Sequence, residues 1–103
     1  MATQTLRRRI ISLLIAQEMD ARDLSRELGL TEREVYEHLA HVQRSMAAAG
    51  GKFSVTPGRC LLCGYLFEHR RRLTRPGRCP QCRRSKIQGP AFRVASPTDD
   101  LLT

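Results

Sequence analysis

The chain has 103 residues, 41% of them apolar, with 18 Lys and Arg against 10 Asp and Glu, four Cys and no Trp. That length holds one compact domain, or a small domain with a short appendage, and its limited core would gain from a metal or a partner subunit. Apolar runs such as Leu13–Ala16 and Met46–Ala49 stop at four residues, far below the roughly 20 of a spanning helix. The N-terminus also lacks the features of a secretory signal. The expectation is a cytoplasmic protein without membrane contact.

The first helix is expected from about Thr5 to Glu18, where Leu6, Ile10, Leu13 and Leu14 share one stripe. Ile11 and Ile15 fall off that stripe, so this helix is either deeply buried or contributes to a homodimer contact. Asp20 is a good N-cap for a second helix, with Met19 and Leu24 at the staple positions beside it. That helix turns Ala21, Leu24 and Leu28 inward and stops at Gly29. Thr31-Glu32-Arg33-Glu34 is a capping box for a third helix, with Leu30 and Val35 as its staple. Val35, Leu39, Val42 and Met46 form its buried stripe until Gly50-Gly51 ends it. Two capped helices joined only by Gly29 and Leu30 have a helix-turn-helix crossing. Residues 1–51 thus read as a three-helix core.

Lys52–Thr56 and Ala91–Ala95 alternate as strands, with Phe53 and Val55 in one and Phe92 and Val94 in the other. Pro57-Gly58 and Gly89-Pro90 punctuate both. If they pair, residues 52–95 form a hairpin whose connection is a long elaboration. The tail 96–103 has no partner pattern and is expected to be disordered.

Inside that elaboration, Cys60-x2-Cys63 and Cys79-x2-Cys82 stand fifteen residues apart. Two such knuckles complete a closed tetrahedral site, which fits one structural zinc and leaves no place for an activated water. Gly64 allows a sharp turn after the first pair, and Pro80 restricts the second. The metal would supply folding energy to a segment with little core of its own. Iron could substitute for zinc in the same ligand set, and a thiol redox pair or disulfides are the other readings; disulfides need an oxidising compartment.

Charge is unevenly placed. From Met1 to Gly51 seven basic and seven acidic residues cancel, whereas from Lys52 to Arg93 eleven basic residues face Glu68 alone. A basic excess of that kind points to a polyanion, most often nucleic acid.

The segment from Asp23 to Leu39, with small Ser25, the turn at Gly29 and buried Val35, resembles the helix-turn-helix of winged-helix regulators of the arsenic-repressor type. Cys-Leu-Leu-Cys-Gly-Tyr and Cys-Pro-Gln-Cys are similar to the two knuckles of rubredoxin-type zinc ribbons. The combination resembles a small prokaryotic family of transcriptional regulators, over residues 5 to about 95. The resemblance implies an α+β fold: a three-helix winged helix-turn-helix with a β-hairpin wing carrying a zinc ribbon at 60–82. It also implies that the third helix is the recognition helix, offering Arg33, Tyr36, Glu37, Ala40, His41 and Arg44 to double-stranded DNA.

Glu32, Glu34 and Glu37 make the front of that helix acidic, which repels phosphate and shifts the weight of contact to the ribbon. There His69, Arg70, Arg71, Arg72, Arg75, Arg78, Arg83, Arg84 and Lys86 lie between or just after the knuckles. His38 is expected beside the core stripe, and Tyr65 and Phe67 are expected to pack the ribbon. Met19 and Met46 are expected in the core. No Ser-His-Asp, paired-carboxylate or Gly-rich phosphate-binding arrangement is present, so catalysis is not expected. The leading expectation is a DNA-binding regulator; the alternatives are a protein-interaction adaptor, an RNA-binding protein, or an electron-transfer protein with a rubredoxin-like iron.

Overall fold

Three helices and two small antiparallel sheets make a mixed α+β fold in the computed structural model, which describes residues 3–95. The tail 96–103, expected to be disordered, lies outside the described residues. In chain order the elements are α1 (Thr3–Ala16), β1 (Met19–Asp20), α2 (Ala21–Leu28), α3 (Glu32–Ala49), β2 (Lys52–Thr56), β3 (Arg59–Cys60), β4 (Ile87–Gln88) and β5 (Ala91–Ala95).

The caps of α2 and α3 follow from local chemistry. The Asp20 carboxylate accepts from the Asp23 amide at 2.8 Å, and Asp23 accepts in return from the Asp20 amide. Thr31 and Glu34 form the same reciprocal pair at the start of α3, which satisfies donors that a helix start otherwise leaves bare. Gly29 sits at φ 69° after α2, a left-handed conformation that costs glycine nothing. The Ser25 hydroxyl donates to the Leu30 carbonyl, and the Leu30 amide donates to the Ser25 carbonyl at 3.1 Å. The two-residue connection is therefore held from both sides, which fixes the crossing of α2 and α3.

The first helix ends at Ala16, two residues before the expected Glu18, because the chain turns there to give β5 a second partner. β1 pairs antiparallel with β5, Met19 opposite Phe92 and Asp20 opposite Ala91. On the other edge of β5, β2 pairs over its full length, from Lys52 opposite Ala95 to Thr56 opposite Ala91. The sheet order is β1-β5-β2, and β3 with β4 forms a second two-stranded ladder beyond it.

One core unites the helices and the central strand. It contains Ile10, Leu14, Met19, Ala21, Leu24, Val35, Leu39, Val42, Met46, Phe92 and Val94. Phe53 lies 5.9 Å from Phe92, ring centre to ring centre, and extends this core onto β2. Ile11, Leu13 and Ile15 of α1 are half-buried and pack against the same core. The breadth of apolar surface on α1 is thus partly taken up within the chain.

Candidate metal centre and the basic ribbon around it

Between β2 and β5 the chain runs out into a ribbon, residues 57–90, in which the four cysteines converge. Their sulfur atoms all lie within 4.8 Å of one another. Cys60 and Cys82 are 3.5 Å apart, and Cys63 and Cys79 are 3.6 Å apart. These separations are far longer than the roughly 2.05 Å of a disulfide, so the cysteines are free thiols. Four thiol ligands at tetrahedral spacing suit a single metal ion.

The two knuckles are built alike. In the first, the Gly64 amide donates to the Cys60 carbonyl, and the Cys60 amide donates to the Tyr65 carbonyl, both at 2.9 Å. In the second, the Arg83 amide donates to the Cys79 carbonyl, and the Cys79 amide donates to the Arg84 carbonyl, both at 2.8 Å. The residue after each second cysteine is left-handed, Gly64 at φ 81° and Arg83 at φ 63°. Arg83 thereby accepts a strain of about 1–2 kcal/mol that glycine avoids. The parallel between the two Cys-x2-Cys pairs could have revealed this position in the sequence.

The thiols cannot all ionise together in so small a space. The Cys63 amide aimed at its sulfur, with further help from Leu62 and its thiol neighbours, lowers Cys60 to about 6 despite burial. At Cys63 the Tyr65 amide acts downward, but burial and the neighbouring sulfurs Cys79, Cys60 and Cys82 together push it up to about 12. Burial opposes ionisation at Cys79, yet the amides of Cys82 and Gln81 bring its pKa down. At Cys82 the Arg84 amide acts downward and is outweighed by burial with Cys60 and Cys79. The protons belong to the cluster as a whole. A divalent cation removes that conflict by holding every thiol as thiolate.

Around this centre the ribbon has little apolar interior. Cys60, Pro76, Cys79, Ile87 and Pro90 are its buried apolar side chains, and Tyr65 and Phe67 pack edge to face at 5.0 Å. Leu73 reaches back to the helical core. Beside it, the Arg75 amide donates to the Tyr36 hydroxyl at 3.2 Å, tying the ribbon to α3. Burial raises the Tyr36 phenol above its ordinary pKa, while the Arg75 amide acts the other way.

The residues singled out for nucleic acid fall into separate groups. Arg33, Glu37 and Arg44 are exposed on α3. Tyr36 is half-buried and engaged with the ribbon. His41 is half-buried on the flank of α3 that faces α1, where it lines a cleft with Arg7 and Arg8. On the ribbon, Arg71, Arg72, Arg75, Arg83, Arg84 and Lys86 are exposed. Arg70 is also exposed, but its guanidinium donates to the carbonyl and hydroxyl of Thr74. Charge counting did not anticipate the large apolar side chains displayed on the ribbon, Leu61 53%, Leu62 51% and Leu66 48% exposed. Among the described residues, no helix is long and apolar enough to cross a membrane.

The family described as PF0610-like, N-terminal, matches residues 5–54, which take in most of α1, all of α2 and α3, and most of β2. No curated protein matches the chain. Among solved structures, the chain is similar to the solution NMR structure of protein PF0610 from Pyrococcus furiosus, at 26% identity and a TM-score of 0.76. The match covers 91% of each chain, so the likeness extends through the ribbon as well as the helices.

Proposed function

We propose that this protein is a DNA-binding transcriptional regulator of winged helix-turn-helix type, with a rubredoxin-like ribbon built into the wing and stapled by one structural zinc. In this reading α3 is the recognition helix, the β2–β5 hairpin is the wing, and Cys60, Cys63, Cys79 and Cys82 hold the metal. The observation that carries it is the display of eleven basic residues against Glu68 between Lys52 and Arg93, most of them on the exposed surface of the ribbon. Such a surface attracts phosphate and exceeds what solubility requires.

The parts divide the work. Ribbon arginines meet backbone phosphates and position the protein, a contact that carries no sequence information. Base reading falls to the exposed face of α3, where Arg33 and Arg44 suit guanine and Glu37 suits the cytosine amino group. Glu32 and Glu34 keep the front of α3 away from the phosphate backbone. The metal's contribution is to hold the ribbon folded; four thiolates leave no open position for chemistry on it.

The test is fluorescence anisotropy of a labelled duplex with the zinc-loaded protein at low and physiological salt. Micromolar binding that weakens steeply with salt is expected. Replacing Arg70, Arg71 and Arg72 should flatten the log–log slope by up to about 2.7, at roughly 0.9 for each phosphate no longer engaged. A single-stranded RNA competitor that displaces the duplex at equal concentration would move the reading to RNA. No binding even at low salt would refute it.

A second reading, a protein-interaction adaptor, is favoured by Leu61, Leu62 and Leu66. Exposed apolar side chains on one small ribbon suit a protein contact better than a phosphate backbone. Replacing all three by Ser should leave duplex affinity unchanged if this surface serves a protein partner, and should weaken duplex binding if DNA is the partner of this surface.

A further inference from the structure

The helical half carries a second basic site that charge counting conceals, because its seven cations and seven acids cancel in sequence. The fold separates them. Asp20, Asp23, Glu32 and Glu34 stand at the starts of α2 and α3, whereas Arg7 and Arg8 of α1 lie beside His41 and Ser45, further along α3. There an open cleft of about 390 Å³ lies between the two helices, lined by Arg7, Arg8, Ile11, His41, Val42 and Ser45. No acidic residue is among those lining it. At roughly 30 Å³ per water molecule, it has room for a small anion with several waters.

Two features of the cleft are costly unless something occupies it. Like charges crowd it: Arg7, Arg44 and His38 are the charged neighbours that, after burial, hold the His41 imidazole below its ordinary pKa. In addition, the Nε of Arg7, one of the lining residues, is enclosed and lacks a hydrogen-bond partner among the described residues. Buried polar groups normally find a partner, and an exception calls for an explanation. An oxyanion at the cleft supplies acceptors for the guanidinium groups and cancels the repulsion together. Acids on the same helix are Glu34, which interacts with His38, and exposed Glu37, one turn before His41.

We propose that the cleft between α1 and α3 binds a phosphate-type oxyanion, held by Arg7, Arg8 and the Ser45 hydroxyl, with His41 and Arg44 at its edge. Guanidinium groups match the geometry of phosphate oxygens, and charge-assisted hydrogen bonds of this type are the strong ones. The apolar floor of Ile11 and Val42 lowers the local dielectric and strengthens each contact. The site stands on its own residues, whatever the ribbon binds.

The experiment is an NMR titration of the full, zinc-loaded chain with inorganic phosphate, at ionic strength held constant with chloride. Saturable movement of the His41 ring signals and the Ser45 amide is expected, while the ribbon amides stay in place. Occupancy by the anion should raise the His41 pKa, since a nearby negative charge favours the imidazolium. Replacing exposed Arg8 by Gln should weaken binding about tenfold, the loss of one strong charged contact, and Arg7→Gln at least as much. The Arg8→Gln variant keeps the test decisive even if Arg7→Gln disturbs the helix packing.

A parallel arm uses a short duplex. If phosphate behaves like chloride but the duplex moves His41 in an Arg8-dependent way, the oxyanion is supplied by a nucleic-acid backbone. If free phosphate saturates the site and the duplex does not reach it, the ligand is a small phosphorylated or inorganic anion. If neither moves His41 in an Arg8-dependent way, the proposal is overturned. The ribbon reading is judged separately by Arg70–Arg72.

Discussion

Removing the metal should melt the ribbon and leave the helical core standing. The core cluster draws its eleven buried residues from α1, β1, α2, α3 and β5, and takes none from residues 57–90. Within the ribbon the buried apolar side chains are Cys60, Pro76, Cys79, Ile87 and Pro90. Burying Ile87 contributes about 1.5–3 kcal/mol. That is little apolar burial with which to order a ribbon more than thirty residues long. A metal ion held by the four thiolates would be the dominant stabilising contact there, since the binding free energy of a structural metal in a small domain is folding free energy. Two experiments remove it: a strong chelator, and the Cys63→Ser substitution at an exposed ligand. Amide exchange should show Cys60, Leu61, Cys79 and Arg83 losing protection while Val35, Leu39 and Val42 keep theirs. The helical circular dichroism should persist, and elemental analysis should find one zinc per chain. Ribbon amides that stay protected after chelation would refute the reasoning, as would one cooperative collapse of the whole chain.

Tyr36→Phe removes the acceptor for the Arg75 amide and should cost about 0.5–1.5 kcal/mol in urea denaturation, with the largest chemical-shift changes at Arg75 and its neighbours. Arg83→Gly should keep both fold and metal because glycine fits φ 63°, whereas Arg83→Val should cost about 1–2 kcal/mol more by thermal melting. The Glu34 carboxyl is held below its ordinary 4.5 by the backbone amide and then the hydroxyl of Thr31. Its contribution is therefore complete above that value and is lost as pH falls through the lower folded-state value. Glu34→Gln should lower stability at neutral pH and flatten the acid limb of the stability curve below about pH 4.5, so that the two proteins converge in acid.

What the sequence made legible was local. The ends of α2 and α3 could be read from Asp20, Gly29, Thr31 and Gly50 because capping involves residues only three or four apart. β2 and β5 have the expected bounds, because alternation of Phe53 with Val55 and of Phe92 with Val94 is bracketed by Pro and Gly. The cysteine cluster followed from the spacing of its two pairs. What stayed hidden depends on distant partners. Met19–Asp20 is a strand only because β5 lies beside it, more than seventy residues later in the chain. The Tyr36–Arg75 tie joins positions 39 residues apart. Tyr36, placed by the resemblance among DNA-facing residues, has a second attachment that no periodicity shows. The cleft of Arg7, Arg8 and His41 needs the packing of α1 on α3, which sequence spacing does not supply.

A ribbon stapled by a metal can carry a charge that a ribbon held by a core could not, and this has a consequence for salt. Within residues 57–90, nine cations against Glu68 repel one another and oppose closure of the loop. Four thiolates around a dication contribute two negative charges at the centre, which relieves part of that repulsion. Added salt screens what remains, since exposed charges lose most of their interaction beyond about 10 Å at roughly 0.1 M. The same ions compete with any polyanion for the arginines. Salt should therefore slow the loss of zinc to a chelator while weakening duplex binding, two opposite responses from one set of side chains. Replacing Arg71, Arg72 and Arg84 by Gln should blunt both together. If zinc loss instead quickens with salt, attractive pairs rather than repulsion govern the ribbon. The basic surface would then be a structural network rather than an open face for phosphate.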